Sequence, residues 1–187
     1  YGQWDPRIRA YRAPACLYRD VLNYLQRSRI PFEDRVLKPP PMPPISGSVE
    51  LYPYQREAFR RWMENGGRGV ICIATAGGKT FIGLKAVEEL KQSTLILVPT
   101  LALVDQWVER LRERLGVEAG VLGGGKHEVK WVTVSTYDSA YIHAEELGDK
   151  FGLLIADEVH HLFAPGYSQA AEMIAAPFRL GLTSTLH

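Results

Sequence analysis

The sequence predicts an α/β fold with a mostly parallel sheet and helices on both faces, preceded by a small N-terminal segment of different character. Three observations carry this. Short, continuous apolar runs recur from residue 69 onward, helical patterns lie between them, and a proline-rich stretch separates this alternation from what precedes it. Runs that are apolar at successive positions mark strands buried on both faces, as in a parallel sheet. Alternation of such strands with helices builds a three-layer α/β domain.

The runs are "GVICIA" (69–74), "TLILVP" (94–99), "KWVTVST" (130–136), "FGLLIAD" (151–157) and "FRLGLTST" (178–185). Helices are expected over 79–91, over 100–115 and over 168–176. In the second, Val104, Trp107, Val108, Leu111 and Leu115 share one face. Cys72, inside the first run, is expected to be a buried small hydrophobe. Residues 1–38 form the separate front segment. There a helix follows Pro14, with Leu17, Val21, Tyr24 and Leu25 on one face, and Pro31 ends it. Five prolines among residues 39–44 favour an extended form, so 39–48 is expected to be a stiff linker, with an SH3-type ligand as the lesser alternative. The remaining domain is 49–187.

The chain has 187 residues, 46% hydrophobic and 23% charged, an ordinary globular composition. Its net charge of +1 hides an asymmetry, because residues 1–38 hold eight Arg/Lys against four acids. Such a basic front is compatible with phosphate backbones and equally with a solvated basic face. Two cysteines make no disulfide framework. No apolar stretch reaches membrane-spanning length and nothing resembles a signal peptide, so a cytoplasmic protein is expected, nucleoid-associated in a prokaryote or nuclear in a eukaryote. The chain opens mid-pattern without Met and is expected to be part of a longer one.

Ligands in such sheets bind at the carboxyl ends of the strands, where the chemistry-bearing residues fall. "ATAGGKT" follows a strand and opens a helix, the context that a phosphate loop requires. Ala76, Gly77 and Gly78 offer backbone N–H groups at a helix N-terminus, Lys79 a cation for phosphates, and Thr80 a hydroxyl for Mg²⁺. The generic loop has glycine where Ile73 stands. "LLIADEVHH" delivers Asp157 and Glu158 at a strand end, costly unless a cation awaits them. Asp157 then suits the metal side and Glu158 the attacking water. His160 and His161 are no zinc pair, and no His/Cys pair has zinc-finger spacing. The Asp-Glu-x-His signature and the lack of N-K-x-D disfavour a kinase or GTPase.

Together these residues resemble the XPB family of superfamily 2 helicases. "LYPYQREAF" looks like its adenine-reading segment, with Gln55 at the family's glutamine. "ATAGGKT" corresponds to motif I, "VPTLALVDQW" to motif Ia, "DEVHH" to motif II and "LTST" to motif III. "VSTYDSA" resembles the segment near the nucleic-acid backbone, and the front segment looks like the end of a damage-recognition domain. The resemblance implies a RecA-like P-loop NTPase lobe, with ATP and Mg²⁺ as cofactors and Thr80 and Asp157 as metal ligands. Lys79, Asp157, Glu158 and His160 would be catalytic, and Thr183, Ser184 and Thr185 would couple hydrolysis to movement. Thr100, Leu101, Gly123, Gly124, Ser135 and Thr136 would meet DNA. The implied activity is 3′-to-5′ translocation in DNA repair on single-stranded and forked or damaged duplex DNA, with a nuclease partner in archaeal relatives. The family's second lobe and its arginine finger have no counterpart here, so the piece alone is expected to bind nucleotide weakly and unwind nothing. A nucleotide-regulated DNA-binding module is the alternative. Motif I departs from the family's P-T-G-S-G-K-T at Ala74, Ala76 and Gly77. If residue 76 needs positive φ, alanine there costs about 1 kcal/mol.

Overall fold

The computed structural model describes residues 2–74 and 78–185. A hairpin of β1 (Gln3–Asp5) and β2 (Ala10–Arg12) opens the chain, followed by α1 (Tyr18–Arg27). After an extended stretch come α2 (Pro53–Glu64), β3 (Arg68–Cys72), α3 (Lys79–Leu90), β4 (Thr94–Val98) and α4 (Leu101–Leu115). Then follow β5 (Gly120–Gly123), β6 (Lys126–His127), β7 (Val132–Thr136), α5 (Tyr137–Ile142) and α6 (Ala144–Leu147). The last elements are β8 (Leu153–Asp157), α7 (Tyr167–Met173) and β9 (Phe178–Thr183).

One seven-stranded sheet runs in the order β3-β9-β8-β4-β7-β5-β6, and only the β5–β6 pair is antiparallel. The expected architecture is present. Every residue of β4 and of β8 is buried, because each strand has helices on both faces. Along β4, Ile96 and Val98 join the cluster under α2, α3 and α4, which includes Trp62, Ile82, Trp107 and Leu111. Leu95 and Leu97 join Tyr137, Ala140, Leu147 and Ile174 on the opposite face. Fully burying a Leu or Ile side chain is worth about 1.5–3 kcal/mol, so these two layers dominate stability.

Two expectations change. β3 is an edge strand, and only Ile71 is buried. Cys72 is therefore exposed rather than a buried hydrophobe, and Val70 beside it is half-exposed. In the glycine-rich stretch 120–125, Gly120–Gly123 pairs with β7, and positive φ at Gly123, Gly124 and Gly125 turns the chain into β6.

The proline-rich stretch is extended but is not a free linker. Lys38 N donates to Asp149 O at 2.7 Å and Ser46 N to Leu115 O at 3.0 Å. Pro40, Pro41 and Pro43 face Trp131, and Ile45 packs on the core that takes in Val49 and Leu51. The front segment is docked as well. Arg19 donates to the carbonyls of Gly66 and Pro177 and lies over the Phe178 ring, while Arg68 reaches Asp20 at 3.5 Å and Cys16 O at 3.3 Å. In α1, Tyr24 is exposed and no residue is fully buried, so the face expected there makes only a shallow contact.

Gly47 sits where a Cβ would overlap the backbone carbonyl of Arg114. Gly47→Ala is expected to lower unfolding free energy by about 1–3 kcal/mol, the usual cost of overpacking against atoms that cannot swing away. Urea denaturation of the two proteins checks this.

Candidate nucleotide-binding site

The site is assembled at the carboxyl edge of the sheet, between the start of α3 and the end of β8. Thr75, Ala76 and Gly77 lie outside the described residues, and with them the backbone conformation of Ala76. Gly78 is described. It caps α3 in the left-handed region, with φ 69°, and a Cβ there would press on the Gln55 amide. Gln55 is buried in the first turn of α2. Its Oε1 accepts from Tyr52 N at 2.9 Å, closing a capping box, and its Nε2 points at Gly78 O at 3.4 Å. The side chain thus faces the loop, and Tyr52 and Tyr54 stack in the open beside it, with ring centroids 6.1 Å apart.

Lys79 is 8% exposed, and its Nζ lies 3.2 Å from Glu158 Oε1. Glu158 follows the last residue of β8 in the left-handed region, φ 49°. That turn aims its N–H back at Asp157 Oδ1, 3.0 Å away, and its carboxylate at Lys79. His160 Nδ1 stands 3.7 Å from the other carboxylate oxygen of Glu158. Thr80 is half-buried in the first turn of α3.

Asp157 is only 5% exposed. Burial pushes its carboxyl above the usual carboxylate range, while the Trp107 and Glu158 N–H groups and the nearby Lys79 charge act against that shift. Trp107 Nε1 donates to Asp157 Oδ2 at 3.0 Å, and the Tyr137 hydroxyl donates to Asp157 O at 2.8 Å. Among the described residues, Oδ2 accepts from Trp107 and Oδ1 from the Glu158 N–H, and a carboxylate oxygen can accept more than one partner. In the sequence Trp107 reads as a core-facing helix residue at the end of "VPTLALVDQW", and Tyr137 only as part of "VSTYDSA"; neither is linked there to Asp157. A signal was present in Trp107, since a buried indole N–H needs an acceptor.

Thr183 ties the end of β9 into a tight turn. Its hydroxyl donates to Thr185 O at 2.8 Å and accepts from Thr185 N at 3.3 Å, with Ser184 between them. Thr183 O accepts from Ile73 N at 3.0 Å, and Leu182 is in register with Asp157. The turn therefore touches the residues that follow β3 and adjoins the acidic strand end.

Comparison with known proteins decides the family. Residues 48–187 match the family described as type III restriction enzyme, res subunit, and residues 1–36 match the xeroderma pigmentosum group B helicase damage recognition domain. The chain belongs to the res-subunit helicase family, as an XPB-type member. It is similar to the DNA 3′-5′ translocase XPB2 of Sulfurisphaera tokodaii, 48% identical over 98% of this chain and 42% of that protein. A second relative, the DNA 3′-5′ helicase XPB of Kineococcus radiotolerans, is 37% identical over 73% of this chain and 26% of that protein. The chain thus spans less than half the length of these relatives. In structure it resembles UvsW of bacteriophage T4, with a TM-score of 0.64 at 20% identity over 99% of this chain and 44% of that one. The RecA-like lobe expected of an XPB-type chain is the fold observed.

A second set of residues singled out in the sequence gathers at the same edge of the sheet. The ends of β4, β7 and β5 are neighbours, so Thr100, Leu101, Thr136, Gly123 and Gly124 meet. A Cβ on Gly123 would lie 3.2 Å from both Leu101 and Thr136. Thr100 Oγ1 caps α4 and Thr136 Oγ1 caps α5. Ser135 is the exception. It is fully buried and its hydroxyl donates to Thr136 O, so it offers no surface hydroxyl to a ligand.

Trp107→Phe stays aromatic but loses the pyrrole half of the indole with its N–H, leaving a small void and Asp157 Oδ2 without its donor. The variant is expected to lose about 1–3 kcal/mol of stability, the cost of a buried polar group left unsatisfied. A chemical denaturation series against the parent chain measures it.

Proposed function

We propose that this chain is the first motor lobe of an ATP-driven DNA translocase that works 3′ to 5′ in DNA repair. The observation that carries this is the cluster of Lys79, Glu158 and buried Asp157 at the mouth of α3. An anion there meets the helix N-terminus and a lysine whose counter-ion is on hand but exchangeable. Phosphates that draw Lys79 away free the Glu158 carboxylate to orient and deprotonate a water. Thr80 and Asp157 would hold Mg²⁺, which supplies positive charge to the phosphates when bound. Burial raises the proton affinity of Asp157, and a cation beside the carboxylate would lower it again. Tyr52, Tyr54 and Gln55 offer an aromatic surface and an amide for adenine. Thr183, Ser184, Thr185 and His160 adjoin this centre and suit a coupling role.

DNA would cross the neighbouring strand ends. Thr100, Leu101, Gly123, Gly124 and Thr136 offer backbone N–H groups, hydroxyls and small surfaces, contacts that hold a phosphate backbone without reading sequence. The relatives named as 3′-5′ translocase and helicase support this use, and the match to a damage recognition domain supports repair of forked or damaged DNA. Completion of the ATP cleft by a second RecA-like lobe, a nuclease partner, and action at the cytoplasmic nucleoid follow from the XPB resemblance. Among the described residues, no helix is long and apolar enough to cross a membrane.

In the full-length protein, Lys79→Ala and Glu158→Gln are each expected to reduce DNA-stimulated ATP hydrolysis by at least about 10²-fold, the lower end of what a positioned general base contributes. Glu158→Gln should still bind nucleotide, read by fluorescence titration. Hydrolysis at the parent rate in either variant overturns the reading.

A further inference from the structure

Three side chains converge at the opposite edge of the sheet from β3. His127 lies on β6, His143 closes α5 and opens α6, and Glu146 is in the first turn of α6. His127 Nε2 stands 3.2 Å from Glu146 Oε1 and 3.0 Å from Oε2, and His143 Nδ1 stands 4.0 Å from the same Oε2. The two imidazoles meet edge-on, with centroids 4.5 Å apart. One ligand atom from each residue falls within a 4.8 Å group.

An ion pair accounts for one imidazole on the carboxylate. The second imidazole brings a further nitrogen to the same carboxylate, so both rings turn a nitrogen toward the space beside Glu146. Metal bonds of about 2.0–2.1 Å at tetrahedral angles place donor atoms about 3.4 Å apart. The separations of 3.0 and 4.0 Å bracket that value. All three side chains are between about one-third and one-half exposed, which leaves an entry path and room for water ligands.

We propose that His127, His143 and Glu146 bind a divalent transition ion of the imidazole-preferring class, Zn²⁺ foremost. His127 coordinates through Nε2, His143 through Nδ1 and Glu146 through its carboxylate, and water fills the remaining positions. The ion bridges the β5–β6 hairpin to the α5–α6 junction at the rim, beside the buried packing of Leu122 with Ala140 and Leu147. It thereby fixes the Gly123–Gly125 turn, which is part of the same hairpin. This assignment rests on the geometry of the three residues and is independent of the nucleotide reading. Zinc-finger spacing could not reveal it, because the ligands come from separate elements and none is cysteine.

The test is calorimetric titration of ZnCl₂ into full-length protein stripped with chelator, beside His127→Ala, His143→Gln and Glu146→Gln variants checked for folding by circular dichroism. A component of one Zn²⁺ per chain is expected in the parent, weakened at least about tenfold in each variant, since even outer-shell changes cost that much at such sites. It should be unchanged in Cys72→Ser. Zn²⁺ should also raise the melting temperature of the parent and not of the variants, because an ion that binds only the folded state stabilises it. Absence of that component in the parent, or an equal affinity in the His127 and His143 variants, overturns the assignment.

Discussion

A carboxylate withdrawn from water at the end of a central strand is the constraint on which the rest of this lobe depends. Asp157 sits at the end of β8, the strand between β9 and β4, both parallel to it. Isolated charges in such a place are costly, and several elements are positioned to offset that cost. α4 supplies the Trp107 N–H, and the residue after β8 supplies its own N–H by entering the left-handed region. A non-glycine residue there carries strain of about 1–2 kcal/mol. The same turn brings the Glu158 carboxylate to Lys79, so the strain serves the site as well as the strand.

The two candidate surfaces share more than an edge. Thr136 caps α5 at the strand-end surface proposed for DNA, and the next residue, Tyr137, places its hydroxyl on the Asp157 carbonyl. Tyr137 also stacks on His161, which lies against His160 near Glu158. One step along the backbone therefore separates a group at the strand-end surface from a group on the acidic strand. Thr183 makes a comparable link on the other side, between β3 and β8. A shift in the register of β7 or β9 has to be felt at both surfaces.

Much of this was legible in the sequence, and the failures have physical causes. Strands β4, β7, β8 and β9 and helices α3 and α4 announce themselves by continuous apolar runs and a 3.6-residue stripe, since strands and helices buried in the middle leave no ambiguity of face. The run 69–74 looks the same but belongs to an edge, and composition does not distinguish an inner strand from an outer one, hence Cys72 in the open. β5 and β6 are short and interrupted by glycine, so they carry no periodicity to detect. Lys79, Asp157 and Glu158 were legible because local motifs hold them. Trp107 was not, since it reaches Asp157 across 50 positions of sequence. Ser135 looked like its neighbour Thr136, and only the pleat separates the inward hydroxyl from the outward one.

The extended stretch between the front segment and the lobe has a mechanical consequence. Hydrogen bonds at Lys38 and Ser46 and the packing of Ile45 lace it down at both ends, so it holds no slack. Its second anchor is the carbonyl of Leu115, the last residue of α4, and Trp107 two turns earlier holds Asp157. Load applied to the first 36 residues and passed along this stretch meets the Lys38 anchor at Asp149 first and that helix second. A tether of the same length, free in solvent, would have absorbed it as coil.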